Sequence, residues 1–252
     1  MKKIELKDIW KYGRSPKSYP IWRRPLVIPS FYVSYFLVKA GLKRPTLLSI
    51  LMIIVGVSGA SLLFFNVYWF KVLGCGLILF SYFIDLMDGK VARMIGKANK
   101  TGKFLDWNYH VTVSSIALFG IGFSSYTNTG RTIYLLLGFV CAWAMIMKTY
   151  MHSTYLHFLR DINLKKGVVA DEFERESDKE YNRFIKGGMQ KFYNYFGRLF
   201  FDATDLWFLL LVCVLFRVDR YLLIVLGFLY LGLFLVSFYL KYRKLYETEE
   251  KT

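Results

Sequence analysis

Four side chains that can bind a metal or move a proton lie within one short stretch of the chain. Asp85 and Asp88 are three residues apart, and Asp106 and His110 are four residues apart. Residues at these spacings share one face of an α-helix. If two antiparallel helices carry the two pairs and a short basic connector (residues 94–103) joins them, three carboxylates and an imidazole converge at one end of the helices.

The surroundings of these groups favour a bound cation. Both pairs border long apolar runs, and an ionisable side chain costs roughly 2.5 to 3.5 kcal/mol at the centre of a membrane-spanning helix. Like charges held close together also repel one another. A bound divalent cation offsets both the cost of placing the acids beside the membrane and the repulsion between them. Carboxylate oxygens suit hard cations such as Mg²⁺, which keeps open coordination positions for a substrate's phosphates. We therefore expect a divalent cation at these acids.

Bulky side chains are missing beside the acids. Gly89 and Ala92 lie on or beside the face of the first two acids, and Gly102 lies one turn before the third. A ligand can therefore approach the backbone closely. Arg93 follows, and its planar fork of N–H donors matches phosphate oxygens. The acids, the cation, the small residues and the arginine together indicate the binding of a pyrophosphate group.

The elements that position these residues are predicted to be membrane helices. The segment 29–40 is too short to cross a bilayer and fits an amphipathic helix at its surface. Six longer apolar runs follow, each near the about 20 residues that a hydrocarbon core requires, at residues 46–65, 69–88, 104–125, 131–155, 201–216 and 221–242. A polar connector, 157–198, separates the fourth run from the fifth. We expect an all-α polytopic membrane protein with a single domain over 1–252, in which a cytoplasmic or interfacial segment (1–45) precedes a six-span bundle (46–242).

The charge and the hydrophobicity of the chain together distinguish a membrane protein from a protein that binds nucleic acid. Lys and Arg number 34 against 18 Asp and Glu, giving a net charge of +16, while 55% of the residues are hydrophobic. Such a surplus in a soluble chain indicates nucleic acid, but here the basic residues flank apolar runs, so we expect a bilayer and no nucleic acid. With the N-terminus inside, the basic residues on the outer side are only Lys71, Arg131, Arg217 and Arg220. The positive-inside rule therefore places the acidic site at the cytoplasmic face of the cell membrane.

The same stretch resembles the signature of a known family. CDP-alcohol phosphotransferases carry the pattern D-x-x-D-G-x-x-A-R, eight further residues, and then G-x-x-x-D-x-x-x-D. The chain supplies seven residues of this pattern in register: Asp85, Asp88, Gly89, Ala92, Arg93, Gly102 and Asp106. Only the last acid differs, because His110 stands in its place. Each such residue occurs at a given position about one time in twenty, so seven matches at fixed spacing are not a coincidence.

The resemblance implies a metal-dependent transferase of phospholipid biosynthesis. Such an enzyme transfers a substituted phosphate from a CDP-alcohol, here CDP-diacylglycerol or a related CDP-lipid, to an acceptor alcohol and releases CMP. The cofactor implied is Mg²⁺ or Mn²⁺. The site residues implied are the metal ligands Asp85, Asp88, Asp106 and His110, the catalytic pair Asp106 and His110, and the nucleotide and phosphate contacts Gly89, Ala92, Arg93 and Gly102. Lys97, Lys100 and Lys103 stand where an anionic headgroup or an acceptor phosphate would lie. The partners implied are a donor and an acceptor, at least one of them a lipid, and a second copy of the chain in a homodimer.

His110 leaves alternatives open. A neutral imidazole can ligate a metal or accept a proton near neutral pH, but it cannot neutralise a second cation as aspartate does. The chain is therefore either a variant enzyme or a degenerate, non-catalytic member that binds nucleotide. Residues 88–93, DGKVAR, resemble the choline and ethanolamine phosphotransferases, so transfer of a small headgroup to a lipid is the alternative reaction. A transporter is the rival from another class, but it would place its acids near the midplane in broken helices.

Overall fold

The computed structural model describes residues 6–13, 15–42, 44–97, 100–165 and 203–249. The chain is helical in these ranges, without a β-strand there, so the predicted all-α class is confirmed. The α-helices are α1 (Arg24–Lys39), α2 (Thr46–Leu62), α3 (Tyr68–Met94), α4 (Lys100–Thr129), α5 (Thr132–Lys165), α6 (Ala203–Leu215) and α7 (Asp219–Glu249), preceded by 3-10 turns at Leu6–Tyr12, Pro16–Ser18 and Ile21–Arg23. Most of the predicted polar connector, from residue 166 to 198, lies outside the described ranges.

Three helical segments are long and apolar enough to cross a bilayer: Tyr68–Met94, Thr132–Tyr155 and Asp219–Arg243. α2, with 17 residues, and the apolar part of α6, Asp205–Leu215, are shorter than the about 20 residues that a full crossing needs. α4 has 30 residues, but its Ser, Thr, Asn and His side chains lower its hydropathy. The spans at α2, α4 and α6 therefore stay predictions, as does the surface position of α1.

The connector between α3 and α4 is shorter than the predicted segment 94–103, because α4 already begins at Lys100. α3 ends where Gly96 adopts a left-handed φ of 70° and the Lys97 N–H donates to the Ala92 carbonyl at 2.8 Å. This arrangement satisfies carbonyls that the end of a helix would leave unpaired, and glycine enters it without a steric penalty. The chain therefore leaves α3 within one turn of the motif.

The chain forms two compact units, Met1–Gly120 and Ile121–Thr252. The acidic stretch belongs wholly to the first unit. In the second unit α5 packs against α7, and a Cβ atom added to Gly227 would lie 2.7 Å from Leu137 Cδ2. The single domain predicted over 1–252 stays a prediction.

In the first unit α2 and α3 form a tightly packed antiparallel pair. Gly59 faces Gly74, and a Cβ atom added to either residue would lie 2.7 or 2.6 Å from the carbonyl oxygen of the other. Further along the pair, Ser49 of α2 contacts Asp88 of α3, so the contacts run in opposite chain directions. Small residues at such a crossing allow two helix backbones to approach closely.

We expect Gly59→Ala to destabilise the protein by about 1–3 kcal/mol, because the added methyl group overlaps the Gly74 carbonyl oxygen and forces the two helices apart. Gly76→Ala is the matched control, since a Cβ atom at Gly76 would have no atom of the described residues within 4 Å. Thermal unfolding of the two variants in detergent measures the difference. Equal unfolding midpoints would show that α2 and α3 do not pack through Gly59.

α4 lies against both of these helices. Its Tyr109 is 1% exposed and shares a hydrogen bond with the Ser81 hydroxyl of α3. A Cβ atom added to Gly56 of α2 would lie 2.8 Å from Tyr109 Cε2. These contacts fix the rotation of α4 about its axis, and they place Asp106 and His110, on either side of Tyr109 in sequence, beside α3.

Candidate functional site

α3 carries the first half of the predicted site in its last turns. Asp85, Asp88, Gly89, Ala92 and Arg93 all fall within the helix, which ends at the glycine turn described above. Because the helix is continuous here, the spacings of three and four residues hold, and the two acids follow one another along one face. Gly89 and Ala92 lie on or beside this face, as their spacing predicts.

α4 carries the second half of the site and brings it against the first. His110 Nε2 lies 3.1 Å from Asp106 Oδ1 of its own helix and 3.7 Å from Asp85 Oδ2 of α3. The exposed fraction is 16% for the Asp85 side chain, 47% for Asp106 and 28% for His110. Two carboxylates and one imidazole from two helices therefore form a cluster that a ligand can reach, and we call Asp85, Asp106 and His110 the acid–imidazole cluster.

The acid–imidazole cluster fits a divalent cation. One ligand atom from each of its three residues lies within 4.8 Å of the other two, whereas opposite oxygen ligands of one Mg²⁺ ion are about 4.2 Å apart. Small side-chain movements therefore bring all three atoms onto one ion. Asp106 Oδ1 is also a buried atom, and the His110 ring nitrogen Nε2 lies 3.1 Å from it. A buried carboxylate oxygen of this kind gains most from a cation.

Asp88, the fourth predicted ligand, lies beside the cluster and not in it. Its Oδ2 atom accepts a hydrogen bond from the hydroxyl of Ser49 on α2, and Ser49 is 2% exposed. The sequence predicts that three carboxylates and an imidazole converge. In the structure Asp85, Asp106 and His110 form the cluster, while Asp88 is bound by Ser49 of α2. Nothing in the spacing of the motif points to Ser49, because the two residues are 39 positions apart.

Arg93 is exposed at the end of α3 and is held by the N-terminal part of the chain. Its Nη1 atom donates to the Tyr12 carbonyl at 3.0 Å. A Cβ atom added to Gly89 would lie 3.8 Å from Arg93 Nη2, so the guanidinium lies over Gly89 on the side of the motif where bulk is missing. A guanidinium in that position can bind phosphate oxygens with a fork of donors.

The remaining predicted residues lie at the beginning of α4 and in the turn before it. Lys97 is exposed directly after α3. The first turn of α4 contains Lys100, Gly102 and Lys103. The sequence prediction had assigned these three residues to the connector. The side chains of Lys100 and Lys103 lie outside the described part of the structure, so their proximity to an acceptor phosphate stays a prediction.

A second residue that the sequence did not single out is Lys90. It stands within the motif between Gly89 and Arg93, yet it is 3% exposed and contacts Ser30 and Phe31 of α1. Its position in the sequence, three residues from an exposed arginine, gives no sign of burial.

Comparison with known proteins places the cluster in a family. Residues 42–171 match the sequence model of the CDP-alcohol phosphatidyltransferases, while no individual curated protein matches the chain. The matched segment contains α2 to α5 and all the predicted site residues, and it is just over half of the 252 residues. The family consists of phosphotransferases, which generally use divalent metals and transfer a phosphoalcohol from a CDP-alcohol in lipid synthesis. This chain therefore belongs to the CDP-alcohol phosphatidyltransferase family.

Proposed function

We propose that this protein is an active enzyme that transfers a substituted phosphate from a CDP-alcohol to an acceptor alcohol and releases CMP. The observation that carries the proposal is the acid–imidazole cluster, in which Asp85, Asp106 and His110 come together from two helices inside the segment that matches the family. The cluster sets carboxylates that suit a divalent cation beside an imidazole that can accept a proton, and the proposed transfer needs both.

We assign Asp85, Asp88 and Asp106 to a divalent cation, Mg²⁺ or Mn²⁺, and keep His110 for proton transfer, because one nitrogen lone pair cannot bind the cation and accept a proton at the same time. When bound, the cation supplies positive charge that stabilises the oxygens of the displacement. The Ser49 hydroxyl occupies Oδ2 of Asp88 and restrains the rotation of this carboxylate. Oδ1 is therefore the Asp88 atom that we assign to the cation.

His110 Nε2 is the atom that we assign to the proton of the acceptor hydroxyl, which it accepts directly or through one water. As the acceptor oxygen bonds to the phosphorus that carries the donor's alcohol, the bond from this phosphorus to the bridging oxygen breaks. CMP leaves with that electron pair. Asp106 Oδ1, 3.1 Å from Nε2, stabilises the imidazolium that forms.

The donor's diphosphate is assigned to the face of α3 beside the acids. Arg93 reaches over Gly89 and offers paired N–H donors to the phosphate oxygens. Ala92 and Gly102 leave room for the nucleotide. Substrate binding and chemistry are thereby placed on two neighbouring helices of one compact unit.

CDP-diacylglycerol or a related CDP-lipid is the donor that we propose, with a small polar alcohol as the acceptor. Lys97, Lys100 and Lys103 are assigned to an anionic headgroup or to a phosphate of the acceptor. Transfer of a choline- or ethanolamine-type headgroup to a lipid alcohol is the second candidate, because residues 88–93 read DGKVAR. The bilayer arrangement that we propose has six spans, a cytoplasmic site and a homodimer.

The proposed function is tested by CMP release from radiolabelled CDP-alcohols. Purified protein is incubated with Mg²⁺ or Mn²⁺ and with CDP-diacylglycerol, CDP-choline or CDP-ethanolamine, each paired with polar or lipid alcohols. We expect metal-dependent release of CMP with at least one pair. Absence of release with every pair, together with turnover by His110→Asp, would identify a degenerate member of the family.

Ser49→Ala is expected to raise the metal concentration at half-maximal activity by about 10- to 100-fold, because groups that orient metal ligands have effects of this size. The maximal rate at saturating metal should change much less. Ser61→Ala is the matched control, since the exposed Ser61 hydroxyl donates to the Val57 carbonyl of its own helix, at 2.9 Å. A metal requirement that is the same in both variants would show that Ser49 does not orient Asp88.

A further inference from the structure

We propose that Lys90 fastens the N-terminal part of the chain onto α3 and thereby positions Arg93 for the donor's diphosphate. The N-terminal part meant here is residues 6–13 and 15–40, named the N-terminal clamp. The role given to Arg93 rests on the proposed function, whereas the clamp itself does not. Lys90 is a positioning residue in this account, because it contacts neither substrate nor metal.

The contacts of Lys90 explain how a charged side chain can be buried to the point of being 3% exposed. Its Nζ atom donates to Ser30 Oγ and to the Leu86 carbonyl, both at 2.7 Å. The same atom lies 4.5 Å from the ring centroid of Phe31. A buried ammonium is strongly unfavourable unless its donors are satisfied, and the face of an aromatic ring attracts a cation most where water is excluded. α1 therefore supplies two of the three partners that make the burial of Lys90 tolerable.

Apolar side chains of the N-terminal clamp pack against α3 near this lysine. Ile9, Val27 and Phe31 are at most 1% exposed and form one cluster with Met94 of α3, which is 8% exposed. The chain also passes very close at Gly13, where a Cβ atom would lie 2.7 Å from Phe31 Cζ and 3.3 Å from Lys90 Cε. The first 3-10 turn and α1 are thus both fixed against the end of α3 that carries the motif.

Arg93 is where the clamp reaches the candidate site. It lies three residues after Lys90, and its Nη1 atom donates to the carbonyl of Tyr12, a residue of the clamp, at 3.0 Å. A second polar contact joins the clamp to α3: Ser34 Oγ of α1, which donates its proton to the Ser30 carbonyl at 2.6 Å, also lies 3.4 Å from the Met87 carbonyl oxygen. The clamp precedes the segment 42–171 that matches the family, so this chain holds a motif arginine with residues from outside the matched segment.

Loss of the Lys90 ammonium should therefore loosen the clamp and release Arg93. A guanidinium without its carbonyl partner samples many rotamers. Ordering it on the diphosphate then costs conformational entropy, and this cost lowers the affinity for the donor. The acid–imidazole cluster is held by the packing of Tyr109 of α4 against Ser81 and Gly56, so it should keep its geometry. The effect should thus fall on the KM for the CDP-alcohol and leave kcat and the metal requirement nearly unchanged.

The experiment compares Lys90→Met, which keeps the length of the side chain without its charge, with Lys39→Met, which changes an exposed lysine at the end of α1. Two quantities are measured on purified full-length protein: the rate of chymotrypsin cleavage within residues 6–24, and the KM and kcat for the CDP-alcohol together with the Mn²⁺ concentration at half-maximal activity. For Lys90→Met we expect cleavage and KM each to rise about 10-fold, with kcat and the Mn²⁺ requirement within about twofold of wild type. Lys39→Met should match wild type throughout.

Ser30→Ala provides a milder second variant, since it removes one partner of Lys90 and leaves the charge in place. It should change cleavage and KM in the same direction, and it decides the question if Lys90→Met does not fold. Unchanged cleavage in the folded variants would overturn the clamp, and increased cleavage with an unchanged KM would overturn the positioning of Arg93. If wild type releases no CMP from any donor, the proposed function and the role of Arg93 fail, while cleavage still decides whether Lys90 fastens the clamp.

Discussion

Asp106→Asn should lower kcat for CMP release by at least about 100-fold. The substitution keeps the shape of the side chain but removes the negative charge that we assign to the cation and to the protonated His110. Stabilisation of a transition state by a metal ion contributes several kcal/mol, and each 1.36 kcal/mol corresponds to a tenfold change in rate. The side chain is 47% exposed, so the fold should survive the change. Steady-state CMP release at increasing Mg²⁺ or Mn²⁺ measures the loss and shows how much of it added metal restores.

Asn108→Ala is the control for Asp106→Asn, because Asn108 is an exposed residue of the same turn whose side chain donates to the Phe104 carbonyl of its own helix, at 2.8 Å. It should retain activity within about twofold of wild type, as expected for an exposed side chain to which no role in the site is assigned. If Asp106→Asn were as active as Asn108→Ala, Asp106 would have no part in the reaction.

His110→Ala should lower kcat by about 100- to 10,000-fold, the range over which a positioned general base accelerates proton transfer. His110→Asp should recover most of this loss, since a carboxylate at this position can ligate the cation or accept the proton, and aspartate is the residue that the family pattern places there. The relevant measurement is kcat at saturating donor, acceptor and metal. Comparing the metal requirement of the two variants separates the roles, because a pure base leaves it unchanged and a ligand does not.

His157→Ala is the control for the histidine substitutions, since His157 is an exposed residue of α5 in the second unit. Its activity should equal that of wild type. Full activity in His110→Ala would remove His110 from the mechanism. Higher activity in His110→Asp than in wild type would show that the histidine impairs the reaction.

The sequence predicts the acid–imidazole cluster because its geometry is mostly local. Spacings of three and four residues fix which side chains share a helix face, and a short connector forces the ends of α3 and α4 to be neighbours. Asp85, Asp106 and His110 lie together for these reasons. Apolar run length likewise locates the helices, although the ends shift where a glycine turn stops α3 or where α4 begins early.

Contacts between distant parts of the chain are what the sequence does not reveal. Ser49 meets Asp88 across 39 residues, and Lys90 meets Ser30 across 60. Such pairs depend on how two helices are rotated and on which side chains the crossing leaves room for, and neither quantity appears in a hydrophobic pattern. α1 shows the same limit, since its length predicts a surface helix, while the burial of Ser30, Phe31 and Ser34 shows that one side of it packs on protein.

The most direct test of the proposed site is Mn²⁺ binding followed by electron paramagnetic resonance, because free and bound Mn²⁺ give different signals. Wild-type protein should bind Mn²⁺, more tightly when CDP is present, and the double variant Asp85→Asn/Asp106→Asn should bind it at least about tenfold more weakly. Equal Mn²⁺ binding by wild type and the double variant, with and without CDP, would contradict a cation held by carboxylates from α3 and α4.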